Sequence, residues 1–412
     1  MHTPCPCIAG SGTSEIVCGV IGKTNAYDMQ RSLTDSFKVV AAIAVVGIHA
    51  TSQSETRFAQ NHNFYSLDFL SVLVNQWARF SVPLFIYLSG YGLAKGDKGI
   101  QGGFLASWGN FLWLRLPTIL LPYAFFSALA LTLQFQNYHG SMGELWHTVA
   151  EKLRTGGADY HMYFLVILAQ CYLLFPLLVW AAGRSTAGFR YTSWIALILV
   201  SGLLYKGSSE ILLGNLNLSH PGWHASFVVY WLPYFMLGIL HAAEPPRPLP
   251  GLVALLAVLA TLVTVVSEYI HYSWQGTPVD YYNHFSRPSV MLYALVVVWW
   301  LHSVSPSASG TSPAPFDAAQ AKLGGGWEGD ILTRLAKLAP LTFSIYLIHP
   351  QILRIVNAYL PSLPTFFGWL VVVVTTFLLV HALILVTNKA HEKGPGFLTG
   401  PVRFFQRCLG LR

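Results

Sequence analysis

The chain has 412 residues, of which 54% are hydrophobic and only 10% charged, with a formal net charge of +7. A soluble domain carries about 25% charged residues to face water, so this composition excludes a water-soluble globular protein and points to a polytopic helical membrane protein. The basic excess is scattered rather than clustered, which argues against nucleic acid as a partner. The five cysteines (Cys5, Cys7, Cys18, Cys171 and Cys408) show neither metal-ligand spacing nor a disulfide framework.

Residues 1–28 lack the continuous apolar core of a secretory signal, and Met29 directly precedes the first apolar run. The segment 1–29 is expected to be a disordered leader, or to lie upstream of a true start at Met29. Ten runs long enough to cross about 30 Å of hydrocarbon then follow, at 35–52, 70–94, 104–134, 162–182, 190–206, 223–243, 250–271, 287–304, 337–359 and 364–389. The third contains Pro117 and Pro122 and is expected to kink or break, because proline removes a helical N–H and crowds the preceding turn.

With the N-terminus inside, the exterior segments hold only Arg57, Lys152, Arg154, Lys206 and Arg287, and the interior segments hold fifteen other Lys and Arg residues. That asymmetry is the positive-inside bias. The expected fold class is all-α, a polytopic transmembrane helical bundle of about ten spans with both termini cytoplasmic, in the cell inner (plasma) membrane. Residues 30–388 form the transmembrane domain, 389–412 a basic cytoplasmic tail, and the Ser-, Pro-, Gly- and Ala-rich stretch 305–333 a flexible cytoplasmic loop.

Four cations, Lys38, Arg79, Arg115 and Arg354, fall inside spans, where carboxylates are scarce: Asp35 starts the first run and Glu268 ends the seventh. Unpaired cations inside a bundle point to an anionic ligand, such as the phosphates of a nucleotide-bearing donor. For Lys38 and Arg354, snorkelling to the interface is the other reading. His49 lies eleven residues beyond Lys38, about 16 Å along a helix, so the two sit at different levels of one span.

An ionisable group at bilayer depth is a functional candidate by default. A neutral imidazole there can take a proton from a hydroxyl; the alternative is a hydrogen bond to a neighbouring helix. In the block 79–99, Ser89 is a weak nucleophile candidate without a visible base, and the glycines beside it suit close helix packing. The segment 135–161 carries His139, His147, Asp159 and His161, placed to meet a substrate on the outer face. Tyr346, His349 and Arg354 share the ninth run, where His349 either orients His49, binds the acceptor or bonds a neighbouring helix.

Four blocks occur in order: DSFKVVAAIAVVGIHA (35–50), SVPLFIYLSGYGL (81–93), HMYFLVILAQCYLLFPLL (161–178) and TFSIYLIHP (342–350). Together they resemble the acyltransferase-3 family of integral membrane acyltransferases, over about residues 30–388. The stretch RFSVPLF (79–85) looks like the branch that O-acetylates bacterial surface polysaccharides. The resemblance implies transfer of an acyl group from acyl-CoA, most simply acetyl-CoA, to a hydroxyl of a cell-surface or lipid-linked glycan, among membrane lipids and with no metal.

The family's first-span basic residue and histidine match Lys38 and His49, although arginine is usual at the first position. Its Arg-x-x-Arg pair entering the third span is matched by Arg115 alone, because Thr118 stands in the second place. The expected site is therefore His49 and His349 as catalytic residues, with Lys38, Arg115 and Arg79 facing the donor. Arg79 or His349 would stabilise the oxyanion. The rival reading is a transporter or exporter of an anionic glycan or metabolite.

Overall fold

A computed structural model describes residues 14–96, 104–136, 138–207, 226–243, 250–277, 279, 284–285, 287–303, 334–393 and 399–411. The expected loop 305–333 and the first part of the expected leader, residues 1–13, lie outside the described residues. Among the described residues the secondary structure is helical, with no strand. The helices are α1 (Ser14–Asn61), α2 (Leu67–Ala78), α3 (Ser81–Gly96), α4 (Phe104–Arg115), α5 (Pro117–Phe135), α6 (Met142–Thr155) and α7 (Tyr163–Arg184). They continue as α8 (Ala187–Gly207), α9 (Leu232–Ala243), α10 (Gly251–Trp274), α11 (Pro288–Ser303), α12 (Thr342–Tyr359), α13 (Thr365–Lys393) and α14 (Thr399–Cys408).

Each of the ten apolar runs is mainly helical where it is described. Among the described residues, seven helical stretches are long and apolar enough to cross a membrane, and Leu232–Ala243 and Pro288–Leu301 are shorter apolar helices. α12 fills the ninth run, but His349, Gln351, Arg354 and Asn357 break its apolar sequence.

Prolines punctuate two of the runs. The third is interrupted at Leu116, and Pro117 opens α5 at a position where its missing N–H leaves no helical bond unmade. The second, expected as one span, is divided at Arg79–Phe80. Pro83 lies four residues beyond Arg79 and has no N–H for the Arg79 carbonyl, so the helix restarts at Ser81. The first run errs in the other direction, because α1 continues twelve residues past His49 to Asn61. His49 is thus an internal residue of a long helix rather than the end of a span. The polar stretch 52–61 stays helical because one face of it is buried, with Ser54, Glu55 and Phe58 nearly inaccessible.

α1 is the central helix, packed on α2, α3, α12 and α13. In its most apolar window 61% of residues are buried, against 11% in α10 and 6% in α8, so the latter two stand at the periphery with leucines outward. The tightest seam joins α3 to α9. A Cβ on Gly90 would run into the Phe235 carbonyl oxygen, and one on Gly238 into the Tyr87 carbonyl. Both glycines therefore serve backbone approach, as small residues do at membrane helix contacts. Ser89 precedes Gly90 on α3, and its hydroxyl donates to the Phe85 carbonyl of the same helix at 2.8 Å.

Past Glu55, α1 is locked to its neighbours by polar side chains. Arg57 forks onto Asp68 with its closest contact at 2.6 Å, and Ser54 bonds both Asp68 and Thr365, the first residue of α13. Within 389–412, α14 packs on α5 and α13, and Gln406 donates to Thr387 at 3.1 Å and Asn388 at 3.0 Å.

Candidate active site

His49 is presented by one turn of α1 that α2 holds from the side. Asn75 donates to the Ile48 carbonyl at 2.9 Å and to Thr51 Oγ1 at 3.1 Å, and Thr51 itself donates to Gly47 at 2.6 Å. The clamped turn leaves the imidazole half-buried. It stacks on His349 of α12 with ring centroids 5.3 Å apart and planes 26° from parallel. On another side lies Tyr160, at 4.6 Å between centroids.

His349 is fully buried. Its Nδ1 lies 3.1 Å from the Ile345 carbonyl, which can only accept, so Nδ1 carries the proton and Nε2 the lone pair. Nε2 has no hydrogen-bond partner among the described residues. Behind it His161 packs edge-on at 5.7 Å. His161 belongs to the turn between α6 and α7, and Tyr346 of α12 donates its hydroxyl to the His161 carbonyl, fixing that turn on α12. The turn leaves α6 through Gly156, whose φ of 76° lies in the left-handed region and whose Cβ would strike the backbone of Tyr163. Burial, followed by the nearby His349, His49 and Arg354, holds the His161 imidazole below its usual range, in the neutral form.

The intramembrane cations behave differently from the expectation that they lack counter-charges. Arg79 is buried, donates to Asn75 at 2.6 Å, and lies 3.5 Å from Glu55, which also accepts from Gln76 at 2.8 Å. Arg354 pairs with Asp159 at 2.6 Å, and Lys38 pairs with Asp35 one turn earlier at 2.6 Å. The argument from unpaired charge therefore fails for these three. Glu55 escaped it because the apolar run closes at residue 52 although the helix does not.

Arg115 ends α4 exposed, with no carboxylate in ion-pair range among the described residues. It lies outside the histidine cluster, as does Lys38. Of the four residues expected to face a substrate from 135–161, Asp159 and His161 reach the cluster, whereas His139 and His147 are exposed elsewhere.

The site thus places a half-accessible imidazole against a buried one whose Nε2 has no partner among the described residues, in the middle of a membrane-length helix, with Arg79 tied to the same Asn75 that clamps the His49 turn. Residues 34–386 match the family Acyl_transf_3, described as an acyltransferase domain. The chain belongs to the acyltransferase-3 family. No curated protein and no solved structure matches it. Membership makes the chain a membrane acyltransferase, and the family match spans α1 to α13, so the whole histidine cluster lies within it.

Proposed function

We propose that the protein transfers an acyl group, in the simplest case acetyl, from cytoplasmic acyl-CoA to a hydroxyl of a cell-surface or lipid-linked glycan, as a multi-pass protein of the plasma membrane. Ten spans with both termini cytoplasmic put Lys38 toward the cytoplasm and the far end of α1 toward the acceptor. The observation that carries this reading is the stacked His49–His349 pair at mid-helix in a chain of this family.

In the proposed reaction, His49 takes the proton of the acceptor hydroxyl as its oxygen attacks the thioester carbonyl. The tetrahedral intermediate collapses by breaking the C–S bond, and the thiolate of CoA takes the proton back from the imidazolium. Ester and free CoA result, and no atom is left over. His349, stacked on His49, orients it. Arg79, held in place by Asn75 and Glu55, favours the developing oxyanion through its charge. Donor phosphates meet Arg115, which has no carboxylate of its own, and the half-exposed ammonium of Lys38. A lysine and Thr118 at positions where the family would lead one to expect arginines make this a looser clamp than two guanidinium forks.

The test is the mass of the surface glycan and its lipid-linked precursor in cells with and without the protein. A gain of one acyl unit is expected. Equal masses combined with protein-dependent movement of an anionic glycan would replace the transferase with an exporter.

A further inference from the structure

The turn that closes the histidine cluster holds more buried polar capacity than the protein itself uses. Asp159 is 5% exposed. Its Oδ1 accepts from Arg354 at 2.6 Å and from the Tyr160 N–H at 2.9 Å, while Oδ2 has no partner among the described residues. His161 is 1% exposed, and among the described residues neither of its ring nitrogens has a partner. Its Nδ1 is 4.0 Å from Asp159 Oδ1, beyond hydrogen-bond reach. Buried polar atoms are ordinarily satisfied, and here three without partners lie on two residues of one turn, beside the unengaged Nε2 of His349.

The chemistry of these atoms selects the ligand. A carboxylate oxygen only accepts, and a neutral imidazole offers one donor and one acceptor. Asp159 Oδ2 and the bare nitrogen of His161 each need an O–H, and a hydroxyl supplies one, so two neighbouring hydroxyls can satisfy all three atoms, whereas a single hydroxyl leaves one of them unmet. Asp159 already shares Arg354, and its remaining lone pairs disfavour an anion at the same place. Tyr160, between the two, is 45% exposed and its ring stands 4.6 Å from His49, presenting an aromatic face to the C–H side of a sugar ring.

We propose that Asp159, Tyr160 and His161 form a subsite that binds two adjacent hydroxyls of an uncharged sugar ring of the acceptor, holding a further hydroxyl of that ring at His49. The identity of the reacting hydroxyl rests on the transferase reading above; the binding itself does not.

Saturation-transfer NMR on the full chain in nanodiscs tests it, with the methyl β-glycosides of glucose, galactose and mannose and with cyclohexanol as the single-hydroxyl ring. At least one hexoside is expected to bind and cyclohexanol to fail. Asp159→Asn and His161→Phe should each weaken hexoside binding about 10- to 100-fold, the range for hydrogen bonds involving a charged or buried group. His161→Gln, which keeps a donor and an acceptor, should recover much of the loss, a pattern that misfolding would not produce. Wild-type protein that binds no hexoside, or variants that bind as wild type does, would overturn the subsite. Hexoside binding without acetyl transfer from acetyl-CoA would support the subsite and overturn the transferase reading alone.

Discussion

His241 and His349 are both buried in the bundle, at 1% and 0% exposure, yet they sit in opposite kinds of surroundings. His241 lies in the tight α3–α9 seam, where its Nδ1 meets the Tyr87 hydroxyl at 3.0 Å and Trp299 covers it edge-on. His349 spends Nδ1 on its own helix and packs between the rings of His49 and His161. One histidine joins two helices. The other belongs to a cluster of polar groups that a substrate would complete. Histidine at membrane depth is therefore not by itself a sign of chemistry; the groups around the ring separate the two roles, a tyrosine of the next helix and Trp299 for His241, two further imidazoles for His349.

The sharpest way to break this comparison is to remove each ring in turn. His349→Ala is expected to lower acyl transfer per folded molecule about 10²-fold, the scale of misplacing a catalytic group, together with a loss of stability from the cavity it leaves. His241→Ala should leave transfer within about threefold and lower stability by about 1–3 kcal/mol, the scale of a lost buried hydrogen bond. Equal losses of transfer would erase the distinction.

Next in size is the frame beneath His49. Arg79→Met leaves Glu55 buried without its cation and should lower stability by about 3–5 kcal/mol, whereas the double variant Arg79→Met, Glu55→Met should regain most of it. Denaturation in detergent reads both, and a double variant no better than the single would show that the pair is not coupled. On the seam side, Gly238→Leu places side-chain atoms against the Tyr87 carbonyl and should lower stability by about 1–3 kcal/mol, with transfer per folded molecule intact.

The smallest effect is on pH dependence. His161 is held neutral in the fold, among His49, His349, Asp159 and Arg354, while the unfolded chain takes up a proton as pH falls through the ordinary value of 6.5. Its contribution makes the protein less stable from that pH downward and is absent above it. His161→Gln should flatten this acid slope; an unchanged slope would mean that the imidazole is already protonated in the fold.

Much of this molecule was legible in its sequence. Apolar runs such as α7, α10 and α13 cannot dissolve in water, and His49 stood out because hydrocarbon makes an imidazole costly. Pro117 announced the break before α5, and Pro83 carried the same signal for the break at Arg79–Phe80, although that run reads as one span by hydropathy alone. Glu55 was hidden by its polar neighbours Ser54, Thr56 and Arg57, since hydropathy cannot register a helix that goes on after its apolar face narrows. The meeting of Asp159 with Arg354 and of His161 with Tyr346 joins residues 195 and 185 positions apart. No local pattern encodes such contacts; they follow from the turn before α7 meeting α12, which itself packs on α1.

The central claim is that His49 activates a hydroxyl against an acyl-CoA thioester. The most direct measurement follows labelled acetyl-CoA with purified protein in nanodiscs and a glycan-bearing acceptor fraction, comparing wild type with His49→Ala of equal thermal stability. The account expects acetylated acceptor and free CoA to appear in equal amounts with wild type, and a drop of about 10²- to 10⁴-fold or more with the variant. Transfer by His49→Ala within a few fold of wild type would contradict it.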